Sequence, residues 1–97
     1  MDRIYEHQGT TFVWNEEKAA ENERKHEVKF EEATTVFDDP LFSVHDASRN
    51  DELRNAVIGF SSIGRLLTVV NMDADGEFIR IISAWRATAA EEALYDQ

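Results

Sequence analysis

Apolar residues recur along this chain at two spacings, and the switches between them mark its elements. Thr11 to Trp14 sets polar residues against aromatic ones, in the manner of a short strand. Asn15 is a suitable helix N-cap, and the acids Glu16 and Glu17 behind it favour the positive end of a helix dipole, which predicts a helix over about 16–26. Its apolar stripe is thin. Ala19, Asn22 and His26 share one face, a composition that suggests close packing with a satisfied polar contact. A second helical pattern puts Phe30, Ala33, Val36 and Phe37 on one side, with Glu31, Glu32 and Thr35 opposite. Asp38-Asp39-Pro40 ends it, because a residue before proline is pushed out of the helical region. Leu41 to Val44 reads as a short strand, and His45 to Glu52 as a polar loop. Strands over 54–60, 65–72 and 77–85 then form a meander, with Asp75-Gly76 a strong hairpin signal. The last helix runs from Ala89 to about Tyr95, and Thr88 with Glu91 forms its T-x-x-E capping box.

This order, β-α-α-β-β-β-β-α, predicts an α+β fold with a mostly antiparallel sheet, as a single domain over residues 11–97 behind a flexible lead-in at 1–10. Both faces of the meander carry apolar residues: Ile58, Leu67, Val69, Phe78 and Ile82 on one, Val57, Leu66, Val70, Ile79 and Ile81 on the other. Such a sheet needs covering on both sides, by its own helices or by a partner chain. Strand parity carries a sharper expectation. If each hairpin connector leaves an even number of unpaired residues, Arg54, Arg65, Arg80 and Arg86 share one face. Their guanidiniums could then hold a phosphate and stabilise charge on it, or else pair with nearby acids. A one-residue bulge would break the convergence.

Composition changes the picture in two ways. There are no cysteines, so disulfides and thiolate metal sites are excluded, and the three histidines show no ligand spacing, so neither metal nor cofactor is expected. No apolar run is long enough for a membrane span and no signal peptide is visible, which points to the cytoplasm. The formal net charge of −10 opposes a polyanionic ligand globally. Distribution softens this, since Lys18, Lys25 and Lys29 all lie in the first third, and every basic residue after Pro40 is arginine.

The spacing F-x-W-[DN]-x-x-K-A-x-x-N-x-x-K-H-x-V-x-F-x-x-A-x-x-V-F-x-D-P, matched from Phe12 to Pro40, resembles the BrnT toxins, the RelE-like ribonuclease half of a bacterial toxin–antitoxin pair. Arg54, Gly64-Arg65-Leu66-Leu67, Arg80-Ile81-Ile82-Ser83-Ala84 and Ala87-Thr88 with Glu91 and Tyr95 extend the resemblance to residue 95. It implies a RelE-like fold and a metal-independent endoribonuclease that inhibits translation by cutting RNA. It also implies neutralisation by a BrnA-like antitoxin, contact with DNA only through that antitoxin, and assembly as a homodimer or as a heterotetramer with it. On this reading Arg80, Arg65, Arg54 and Arg86 are the catalytic candidates, with Asp73 and Tyr95 beside them; Arg65, Arg80, Trp85 and Arg86 would contact RNA. Trp85 would stack on a base or pack under the last helix. His26 reads as a helix-end histidine bonding nearby backbone, and Glu91 as a cap partner.

The chain departs from the family pattern in several places. Glu27 stands where a capping glycine is usual, Asn71-Met72-Asp73-Ala74 replaces a strand ending in T-E-R, Trp85 replaces an arginine, and the final helix lacks its usual basic residues. The last three changes remove positive charge, which keeps open a second reading: a toxin fold without catalysis that serves as an antitoxin-binding or regulatory module.

Overall fold

The computed structural model describes residues 1–96. Residues 1–10, expected as a loose lead-in, instead contain a strand. β1 (Asp2–His7) pairs antiparallel along the whole length of β2 (Thr10–Asn15). Gln8 (φ 51°) and Gly9 (φ 79°) make the two-residue turn between them, both in the left-handed conformation that matches strand twist in a tight hairpin. Tyr5 packs on Trp14 with ring centroids 5.4 Å apart, and the Arg3 guanidinium lies 5.7 Å from the Tyr5 ring and 5.9 Å from that of Trp14.

α1 (Glu16–His26) has the expected cap, the Asn15 side chain accepting from the Lys18 amide at 3.0 Å. Glu27 ends it in the left-handed region (φ 58°, ψ 34°), its N–H donating to Glu23 O at 2.8 Å. α2 (Phe30–Thr34) tightens into a 3-10 turn (Thr35–Asp38) ahead of Pro40. β3 (Ser43–Asp46), β4 (Asn55–Phe60), β5 (Leu66–Ala74) and β6 (Phe78–Arg86) follow, and α3 (Ala89–Tyr95) closes the chain. The sheet order is β1-β2-β6-β5-β4-β3, antiparallel throughout except where β2 runs parallel to β6. The domain is therefore α+β with six strands, one more than the sequence pattern predicts.

α1 and α2 cover one face. Its core is Phe12, Trp14, Val28, Phe30, Val36, Val57, Leu67, Val69, Ile81 and Ala84, all at most 3% exposed. Each large apolar side chain buried there contributes about 1.5–3 kcal/mol. α3 covers part of the opposite face, over Thr68 and Phe60. No helix among the described residues is long and apolar enough to cross a membrane.

The partition of the meander differs from the parity expectation, for two reasons. Phe60 pairs with Leu66, so the connector 61–65 holds an odd number of residues, and Val57 lies beside Val69 rather than Ile58. In β6 the register runs from Leu67↔Arg86 to Val70↔Ser83 and resumes at Asn71↔Ile81, leaving Ile82 as a bulge. Arg65 and Arg86 consequently stay on the helix-covered face, while Arg54 and Arg80 fall on the other.

Candidate nucleic-acid interface

Two arginines on each face do not make one phosphate site, and their partners separate them further. Arg65 is gripped by α2: its Nε donates to Glu32 Oε2 at 3.0 Å, one Nη2–H to Glu32 Oε1, and Nη2 also to Glu27 O at 3.1 Å. Burial works to raise the Glu32 pKa, but hydrogen bonds from Arg65 and Ser61 outweigh it and hold the carboxyl below its ordinary range. Arg80 donates to Asp2 at 2.9 Å, tying β6 to the start of β1. Arg54 donates to Glu52 at 2.6 Å. Asp73 sits at the β5–β6 turn and accepts from the Gly76 amide at 3.0 Å. Tyr95 gives its phenol proton to Asp39 Oδ2 at 2.7 Å, which pushes the phenol pKa up; the same oxygen accepts from the Phe60 amide at 2.9 Å. Tyr95 thereby latches α3 onto β4 and the 3-10 turn.

Arg86 is different. Its guanidinium has no ion-pair partner among the described residues, and it shares a depression with Lys25, His26 and Trp85. Local folding explains the meeting. β2 pairs with only the lower part of β6, at Ile79 and Arg80, so the upper part of β6 has β5 on one side and no strand on the other. The α1 side chain of Asn22 fills that edge. Its Oδ1 accepts from Ala84 N at 3.1 Å, while Nδ2 donates to Ala84 O at 2.9 Å and to Val28 O at 3.1 Å. A primary amide thus replaces a neighbouring peptide, and this fixes α1 against β6. Lys18 and Lys25 each lie about one turn of helix from Asn22, before and after it on the same side, and both line a second depression with Ile82 and Ser83.

Trp85 forms the wall. Its Nε1 donates to Glu91 Oε1 at 3.0 Å, and its ring centroid lies 5.9 Å from that of His26. Glu91 Oε1 also accepts from Thr88 N and Thr68 Oγ1, each at 2.9 Å, inside the expected capping box. Burial tends to raise the Glu91 pKa; these hydrogen bonds prevail and lower it. Glu91 is therefore a fastening for Trp85 as well as a cap. Among the described residues the His26 ring makes no hydrogen bond to backbone, contrary to expectation, and packs on Trp85 instead. Among the described residues no three His, Cys, Asp or Glu side chains are grouped as metal ligands would be.

The arrangement is an edge lined by two cations without ion pairs among the described residues, an imidazole and an indole, able to bind anions and stack against a flat ring. Sequence reasoning reached Arg86 and Trp85, weighed a catalytic role for His26 but read it first as a helix-end histidine, and passed over Lys25. The available signal was the Lys18, Asn22, Lys25 spacing on one helix face, beside a thin apolar stripe that leaves that face free for other work.

Fold and edge define a small α+β domain with a cationic, aromatic groove. The chain belongs to the BrnT family, since the family model described as "Ribonuclease toxin, BrnT, of type II toxin-antitoxin system" matches residues 14–91. It is thus a ribonuclease toxin of a type II system, for which an antitoxin partner is implied. No curated protein matches the chain.

Proposed function

We propose that this chain is a metal-independent endoribonuclease, RelE-like in fold, whose cleavage site is the β6 edge at Lys25, His26, Trp85 and Arg86. One observation carries the reading: among the described residues Arg86, alone of the arginines proposed from the sequence, makes no ion pair, and it lies in one depression with His26 and with Lys25, which makes none there either. A histidine side chain can both take and give a proton near neutral pH. With an RNA phosphate between Lys25 and Arg86, His26 accepts the proton of the neighbouring ribose 2′-hydroxyl. The oxygen attacks phosphorus, the bond to the 5′ oxygen breaks, and that oxygen takes a proton from solvent water as it leaves, giving a 2′,3′-cyclic phosphate and a 5′-hydroxyl, while the proton held by His26 returns to solvent. Lys25 and Arg86 stabilise the charge that builds on the phosphate oxygens. Trp85 stacks on a flanking base.

In the cell this activity would stop translation in the cytoplasm until a BrnA-like antitoxin binds the toxin. The antitoxin's basic charge would complement the acidic surface and would provide the complex with its contact to DNA. The test is RNA cleavage by the purified chain and by single variants. Lys25→Ala and Arg86→Ala should each lower the cleavage rate by about 10²–10³, His26→Ala should abolish it, and Arg80→Ala should leave it within a few fold. Normal cleavage by His26→Ala and Arg86→Ala would rule out this edge as the site.

A further inference from the structure

Trp85 also borders a third concave surface, of about 360 Å³, lined with it by Ser48, Arg49, Arg54, Val70 and Ser83. The segment before β4 shapes it. Arg49 and Glu52 exchange backbone hydrogen bonds (3.0 and 2.9 Å) across a turn in which Asn50 and Asp51 are both left-handed, and Ser48 is pinned by Asp46 and by the Arg54 amide. Arg49 has no ion-pair partner among the described residues. Arg54 is held by Glu52 through Nη2, while its Nε is buried without a hydrogen-bond partner among the described residues. A buried donor left unmade is unfavourable, so this pose does not satisfy the guanidinium. A phosphate accepting from Nε and an Nη–H together, in the planar fork geometry that arginine offers, would satisfy it after a small rotation of the side chain toward the cavity.

We propose that this cavity is a second phosphate subsite, holding the backbone of a single-stranded RNA one or more nucleotides away from the phosphate at Lys25 and Arg86. The proposal rests on the cleavage site described above. Trp85 borders both cavities, so a strand crossing β6 meets cations on each side of one indole. Single-stranded substrate is required, because the ring between the two subsites takes an unpaired base.

The experiment measures binding of fluorescent, uncleavable oligonucleotides carrying a 2′-deoxy ribose at the scissile position, in lengths of two to six nucleotides. It compares the unaltered chain with Arg54→Gln and Arg49→Gln, each checked for folding by thermal melt. Wild type should bind the longer strands on the order of tenfold more tightly than the dinucleotide, and the variants should lose that gain while keeping dinucleotide affinity. The salt dependence of the longer strands should also become shallower, by a log–log slope of about 0.7 per phosphate lost. Arg49→Gln, altered only in an exposed turn, guards against an unfolded Arg54→Gln. An affinity that does not rise with length in wild type overturns the subsite, as does an equal loss for the dinucleotide in the variants. If cleavage survives Lys25→Ala and Arg86→Ala while the length-dependent gain still vanishes in Arg54→Gln, the subsite stands and the cleavage centre lies elsewhere.

Discussion

Three donors converge on one oxygen of Glu91, from the Thr88 amide, the Thr68 hydroxyl and the Trp85 indole, so a single carboxylate fastens α3, β5 and the wall of the groove. Its folded pKa is depressed below the ordinary 4.5. The stability it contributes is therefore fully present above that value and is lost as pH falls through the lower folded value. Glu91→Gln keeps the capping geometry and removes the charge. It should cost about 1 kcal/mol at neutral pH, and its urea midpoint should converge with that of wild type below pH 4.5. A constant difference between the two across that window would mean that charge has no part in the fastening. Residue identity alone could reveal the Thr88–Glu91 box because both partners lie within one turn of helix. The partners of Arg65 and Arg80 were illegible for the opposite reason: Glu32 and Asp2 are separated from them by 33 and 78 positions. Any of 20 acids could have served.

Helices were the most legible elements, since N-cap, apolar period and proline stop are all local signals, and α1 and α3 begin and end where those signals place them. Strand existence in the meander was equally plain. Register was not. The bulge at Ile82 leaves no local mark, because Ile81 and Ile82 are both apolar and β-branched, and either fits a strand facing either way. β1 escaped notice because its charged and polar residues give no alternation, and its one signal is Gly9 in a two-residue turn. The end of α1 offers a direct test at this scale. Glu27 holds a conformation that penalises a Cβ, yet the capping hydrogen bond to Glu23 is intact. Glu27→Gly should therefore raise stability by about 1 kcal/mol, read from chemical denaturation. It removes no backbone contact, so the Arg65 bond to the residue-27 carbonyl is retained. A destabilised variant would show that the Glu27 side chain contributes more than its conformation costs.

Over the whole molecule, a net charge of −10 coexists with a cationic groove because most acids lie elsewhere, and because Arg3, Arg54, Arg65 and Arg80 already neutralise some of them. Two ends of the chain build that groove. Lys25 and His26 come from the first helix, Trp85 and Arg86 from the last strand, and the Asn22–Ala84 hydrogen bonds join them across 62 positions. β6 is also the strand between β2 and β5, so without it the sheet divides in two. A chain truncated at Asp75 should lack cooperative unfolding in a melt and should be harmless when expressed in bacteria; toxicity from such a fragment would place the active residues outside the β6 edge. Synthesis from the N-terminus gives the same topology a temporal meaning. Trp85 and Arg86 leave the ribosome after Lys25 and His26, so the proposed cleavage edge cannot assemble on a nascent chain until β6 has been made, and chain order alone delays its arming.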